Sequence, residues 1–185
     1  MSLVSLEEVK TYMDLKDNDE SKDFIIRYLI PAAQAFMEQY CNRVFEKAEV
    51  TEYHSGGSQM IFLKKPPIDK TLSIAIYDDW QRVYGADTLL SSSDYFVDEN
   101  TGIVSFDYPV GGTPGSIKAM YTGGYNPIPM DLRTACIELV ARKVKEGPGG
   151  NLGVPNRNIP DGGSVIFVID NILPPTKVVL DRYTI

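Results

Sequence analysis

Chemistry needs a nucleophile, an acid–base pair or a metal cage, so the residues to weigh first are His54, the only histidine, and the two cysteines, Cys41 and Cys136. His54 falls at the tip of a predicted hairpin among small residues, where a lone imidazole reads as a solvated surface group rather than a general base. Two cysteines and one histidine cannot build an ordinary four-ligand zinc site. Each cysteine lies inside a helical pattern, so both read as buried thiols acting as small hydrophobes in a reducing compartment. No Gly-x-Ser-x-Gly elbow is present. Gly111-Gly112-Thr113-Pro114-Gly115-Ser116 and Gly147-Pro148-Gly149-Gly150-Asn151-Leu152-Gly153 have the glycines of a phosphate cradle. Neither has the Lys-Ser/Thr pair of a P-loop, and neither opens a helix after a strand, so they read as a turn and a mobile loop. Asp78-Asp79 and Asp98-Glu99 place acids on loops without EF-hand spacing, and read as solvated turns. The expectation is no catalytic residue, no cofactor and no metal.

Composition narrows the partners. With 18 Lys+Arg against 25 Asp+Glu the net charge is −7, which argues against a general phosphate-binding surface, because nucleic-acid affinity rests on many cationic contacts. Hydrophobic residues make up 43% and charged residues 23% of the 185 residues, enough for the core of one globular domain. No apolar run reaches the length of a membrane span, and no signal-peptide pattern opens the chain, so a soluble protein, cytoplasmic at synthesis, is expected. Trp80, the only tryptophan, lies on a predicted loop between strands. It either packs under that loop or serves as an interface anchor, since Trp is enriched at binding hot spots.

The elements that must position these groups follow from periodicity. Ser5-Leu6-Glu7-Glu8 has the spacing of a capping box and opens a helix bearing Leu6, Val9, Tyr12 and Met13, expected to end near Leu15. In the polar turn that follows, Asn18 or Asp19 can cap a second helix. There Ile25, Tyr28, Leu29, Ala32, Ala33, Phe36, Met37 and Tyr40 form the expected main stripe, while Phe24, Ile26 and Ile30 make a second apolar face. Pro31 is expected to bend this helix. From Ala48 the period becomes two. Val50–Tyr53 and Met60–Leu63 flank His54-Ser55-Gly56-Gly57-Ser58 as one hairpin signal, and Tyr95–Val97 and Ile103–Phe106 flank Asp98–Gly102 as another. Strands over Leu72–Tyr77 and Ser116–Thr122 bring the total to about six, a small antiparallel sheet or sandwich. A third helix carries Leu132, Ala135, Cys136, Leu139, Val140 and a snorkelling Lys143. Val165–Ile169 reads as one more strand, and Pro174-Pro175 opens a terminal helix with Val179, Leu180 and Tyr183 on its apolar side. The whole reads as one α+β domain: N-terminal helices over 1–46, an antiparallel β insertion over 47–125, a third helix over 129–146, a flexible loop over 147–164, and a short strand and C-terminal helix over 165–185, the helices forming one bundle.

Several runs taken in order carry a resemblance: Leu6-Glu7-Glu8-Val9-Lys10 with Tyr12-Met13, Leu29-Ile30 with Ala32-Ala33, and Tyr40-Cys41-Asn42-Arg43 with Phe45. Thr51-Glu52-Tyr53, Leu63 with Pro67-Ile68, and Thr101-Gly102-Ile103-Val104 follow in the β region. The most specific run is Tyr121-Thr122-Gly123-Gly124-Tyr125 leading to Ile128-Pro129, Asp131-Leu132 and Ala135-Cys136, and Ile172-Leu173-Pro174-Pro175 through Leu180-Asp181-Arg182-Tyr183 closes the set. Over nearly its whole length the chain resembles phage head–tail connector (adaptor) proteins, a family that includes prophage DNA-packaging proteins. The resemblance implies a non-enzymatic virion protein at the head–tail interface, a ring, usually dodecameric, under the portal, and portal and neck or tail-completion proteins as partners. DNA would pass through the channel without specific binding, and an acidic lining would let it slide. The long β insertion departs from the family pattern.

The residues suited to interfaces are Trp80, Arg43, Val165, Phe167 and Tyr183. Arg43, at the corner after the second helix, is expected to satisfy that helix's last carbonyls or to pair with an acid, with Tyr40 and Phe45 as anchors. Val165 and Phe167 belong to a strand that can add to a neighbour's sheet. Two other classes remain: a β-sandwich binding module of a tail-completion or host-surface-binding protein, favoured by aromatic clusters on a concave sheet, and a small hydrolase using loop acids.

Overall fold

The computed structural model describes residues 2–16, 18–146, 156–158, 164–166 and 172–184. They form two compact units. One holds four helices: α1 (Leu6–Tyr12), α2 (Asp23–Tyr40), α3 (Met130–Glu146) and α4 (Pro174–Asp181). The other, Arg43–Pro127, holds six strands: β1 (Ala48–His54), β2 (Ser58–Phe62), β3 (Ala75–Asp78), β4 (Tyr95–Val97), β5 (Ile103–Val110) and β6 (Ile117–Gly123). A further short pair, β7 (Asn156–Asn158) and β8 (Ser164–Ile166), is antiparallel. The α+β class read from the sequence is the observed one.

In the helical unit α3 is central and packs against α1, α2 and α4. Its stripe buries Leu132, Ala135, Cys136, Leu139 and Val140, as the spacing predicts, with Val144 completing the last turn. Burial pushes the Cys136 thiol up to about 12, so it stays protonated and behaves as a small hydrophobe. The capping box on α1 forms as read: the Glu8 amide donates to Ser5 Oγ at 3.2 Å and the Ser5 amide to Glu8 Oε2 at 2.8 Å. The helix stops at Tyr12 rather than Leu15 because Asp14 takes a left-handed φ of 56°, which no helix contains. Neither Asn18 nor Asp19 caps α2. Asp19 accepts from the Ser21 amide instead, and the helix enters through Lys22 without a side-chain cap. Buried Lys10 pairs with Asp23 in its first turn at 3.0 Å, where a carboxylate suits the helix dipole.

The α2 stripe needs a correction. Its buried residues are Ile26, Ile30 and Met37, and Ile26 and Ile30 belong to the face the sequence marks as secondary. Leu29, Ala33 and Phe36 are only half-buried, Ala32 is exposed, and Phe24 and Tyr28 are 87% and 71% exposed. Periodicity marks both faces as apolar; which one is covered depends on where the partner helices lie, and that is not a local property.

The six strands form two three-stranded antiparallel sheets, ordered β1-β6-β3 and β2-β5-β4. Ile61, Leu63, Ile68, Ile76, Val97, Val104, Phe106, Val110, Ile117, Ala119 and Tyr121 make their common core. The hairpin predicted across Asp98–Gly102 is real: β4 pairs with β5, and Gly102 takes the positive φ of 72° that the turn requires. The hairpin predicted across His54–Ser58 is not. β1 pairs with β6 and β2 with β5, so the chain crosses from one sheet to the other there. Gly56 permits the crossing, because a Cβ on it would lie 2.3 Å from the Gly111 backbone, closer than any side chain can approach.

The same strand overturns the reading of His54. Alternation places Glu52 and His54 on the inward side of β1 with Val50, and Glu52 is buried. Its carboxylate accepts from Tyr121 Oη at 2.5 Å and from the Lys64 amide at 3.1 Å, and His54 Nε2 lies 3.0 Å from its other oxygen. Burial alone would raise this carboxyl, but the His54, Tyr121 and Lys64 hydrogen bonds outweigh it and hold it below the ordinary value of 4.5. A depressed acid contributes stability that is present above its unfolded pKa and lost as pH falls through its native one. The β unit is therefore expected to lose denaturant resistance as pH drops below about 4.5, with Glu52→Gln showing a flatter profile there. Tyr121→Phe, which takes a donor from a buried carboxylate, is expected to cost about 2 kcal/mol at neutral pH.

Candidate functional site

The buried Glu52–His54–Tyr121 cluster has acid–base residue types, but it is closed. Both Glu52 oxygens already accept from protein donors, and Tyr121 Oη also accepts from the Lys65 amide at 3.1 Å. It is a satisfied polar core. Among the described residues, three apolar surfaces offer something to a partner.

The first is the loop after β3. The Asp79 carboxylate, itself buried, accepts from the backbone amides of Gln81, Val83 and Tyr84 at 2.7–2.8 Å. The Tyr84 amide, with those of Gln81 and Val83, holds this carboxyl below the usual range against the opposing effect of burial. These bonds fix Arg82 and Tyr84 at left-handed φ of 61° and 55°, conformations that non-glycine residues keep only when their surroundings over-determine them. Asp79 is thus the staple of the loop, not a solvated acid. The far end is pinned as well. Tyr84 Oη donates to the Gly115 carbonyl at 2.5 Å, and its ring lies 5.6 Å from Tyr53 and 6.5 Å from Tyr77. Tyr53, Lys118 and Tyr77 share one cross-strand row, and the Lys118 ammonium sits 5.3 Å from the Tyr77 ring and 5.4 Å from Tyr84.

Between these pins Trp80 and Val83 stand 71% and 75% exposed. Trp80 does not pack under its loop. A large aromatic on a rigid mount loses little freedom when a partner covers it, which is the physics of a binding anchor.

The second surface is the outer face of β2-β5-β4. Met60, Ser105 and Phe96 form one row and Phe62 and Ile103 the next. Met60, Phe62 and Phe96 are exposed, and Lys70, paired with Glu99 at 3.2 Å, lies 5.0 Å from the Phe96 ring. The signal was present in Met60-Ile61-Phe62-Leu63, where both phases of the alternation are apolar. The third surface is the open side of α2. Leu29, Ala32, Ala33 and Phe36 meet Leu139 and Lys143 of α3 around a cavity of about 300 Å³.

The remaining sequence-derived residues are placed as follows. Arg43 neither caps α2 nor pairs with an acid among the described residues. It donates to the Pro66 carbonyl and stacks 5.3 Å from the Tyr125 ring and 6.0 Å from Phe45, because two aromatic faces and an unclaimed carbonyl lie within its reach. Tyr40 donates to Asp181 at 2.6 Å, and Tyr183 to both oxygens of Asp131, at 2.9 and 3.0 Å, tying α4 to the start of α3. Val165 lies opposite Arg157 in the β7–β8 pair. Phe167 and most of the 147–163 loop lie outside the described residues. Asp79→Ala is expected to speed hydrogen exchange at the Gln81, Val83 and Tyr84 amides selectively, leaving the β1–β6 ladder protected.

No curated protein matches this chain in sequence. Among solved structures, the fold is similar to a chain in the neck of an empty GTA particle computed with C6 symmetry, at 14% identity, TM-score 0.57, over 98% of this chain and 89% of that one. A chain in the neck of a native GTA particle computed with C12 symmetry matches at 15% identity and TM-score 0.54, over 97% and 87%. A chain in the virion of the native gene transfer agent particle matches at 14% identity and TM-score 0.55, over 98% and 89%. The family model described as head completion protein matches residues 2–176, and the chain belongs to the head completion protein family, a structural virion family rather than an enzymatic one.

Proposed function

We propose that this protein is a neck subunit of a phage-like particle: copies assemble into a ring, a dodecamer in the virion, under the portal, where the ring extends the DNA channel and gives the next neck or tail-completion protein its platform. The observation that carries this reading is the head completion match across residues 2–176. The similarity in fold to chains of GTA necks with C6 and C12 symmetry supports it. So do the three exposed apolar surfaces, since a ring subunit needs more than one contact face. The net charge of −7 suits a channel through which DNA slides without sticking. The alternative of a host-surface-binding module draws on the tyrosine row of the β1-β6-β3 sheet. Those rings are engaged with one another and with Lys118, which leaves them poor platforms for a ligand.

Electron microscopy of the full-length protein mixed with the portal of its own particle is the test. A ring of twelve copies stacked on the portal, with no retention of duplex DNA at physiological salt, is expected. A protein that stays monomeric and leaves the portal undecorated overturns the reading.

A further inference from the structure

The apolar side of α2 and the Trp80 loop are complementary. Leu29, Ala32, Ala33 and Phe36 follow i, i+3, i+4, i+7 spacing, and the small Ala32 and Ala33 open the middle of the stripe. Leu139 and Lys143 of α3 supply the other wall of the roughly 300 Å³ cavity. An apolar protein cavity of about 150 Å³ holds benzene. An indole, about half as large again, then needs on the order of 225 Å³ on the same scale, so the groove has room for one tryptophan side chain. The chemistry suits an indole: Phe36 offers an aromatic edge or face and Lys143, exposed at the rim, a cation for the ring face.

We propose that in the assembled ring Trp80 of each copy inserts into the α2–α3 groove of the next copy. This deepens the neck reading and rests on it. Knob and hole are different surfaces of one chain, so the contact is head-to-tail, and head-to-tail contacts close into rings when the rotation allows. A second copy is the occupant because the chain itself carries the complementary side chain, 71% exposed on a loop already rigid, and because neck chains of the same fold occur with rotational symmetry. Burying Trp80 and covering Leu29, Ala32 and Phe36 removes apolar area of both surfaces from water at once.

The experiment uses the full-length chain with its portal, under conditions where wild type forms the ring. Trp80→Cys and Ala32→Cys variants are mixed, at a protein concentration raised until rings form despite the lost indole, and mildly oxidised; native Cys41 and Cys136 are buried and serve as background in wild type. A disulfide dimer from the mixture only, and a ladder from the double variant, are expected. Trp80→Ala, and Ala32→Trp to fill the groove from within, should each weaken ring assembly at least about 30-fold, the scale of a hot-spot loss, with melting temperature unchanged because both positions are exposed. Rings from Trp80→Ala at the wild-type concentration, or rings that assemble without any Trp80–Ala32 crosslink, overturn the proposal. So do variants that ring normally but lose the portal, which would make the portal the occupant. If wild type itself forms no ring, the neck reading has failed, and this one with it.

Discussion

Taking apolar area out of water is worth about 25 cal/mol per Å², and α2 leaves much of that gain unrealised within its own chain. Ile26, Ile30 and Met37 are buried, while Phe24, Tyr28 and Ala32 face solvent and Leu29, Ala33 and Phe36 are half-covered. The β unit repeats the pattern: an apolar core shared by its sheets, and Met60, Phe62 and Phe96 on the outside. A chain built this way gains free energy when something else covers those faces, and the proposed ring assembly draws on that gain.

Two buried carboxylates show how the β unit makes its surfaces stiff enough for that work. Glu52 sits at a core position of β1 and draws in Tyr121, His54 and the Lys64 amide, which ties the start of the first sheet to the strand leaving the second. Asp79 gathers three amides of its own loop and holds two residues in left-handed backbone conformations. Both are depressed acids, since hydrogen bonds to the charged form outweigh the cost of burial. One orders the interior; the other aims Trp80 and Val83 outward.

Much of this was legible from residues alone. The capping box at Ser5, the α3 stripe, six strands and the Gly102 hairpin follow from local rules, and the ordered runs from Leu6 to Tyr183 carry the family. The failures share one cause, which is that they depended on tertiary partners. Nothing near His54 says that its strand pairs with β6 rather than β2. Nothing in a two-faced helix says which face α3 and the N-terminal segment will take. Arg43 found the Pro66 carbonyl and the Tyr125 ring because the fold brought them together across more than twenty residues, beside the neighbouring Phe45. Asp79 reads as a solvated acid from sequence because a carboxylate followed by Trp80, Gln81 and Arg82 looks like any polar turn until the amides are seen converging on it.

Trp80 is the chain's only tryptophan, so its emission reports directly on the surface at issue. Fluorescence followed during ring assembly on the portal, with the partner's signal subtracted using Trp80→Phe, should begin at the long wavelength of a hydrated indole. It should shift to the blue and resist acrylamide quenching as rings form. Emission and quenching that stay at their monomer values in fully formed rings would mean that Trp80 remains in water, contradicting its role as the contact between copies.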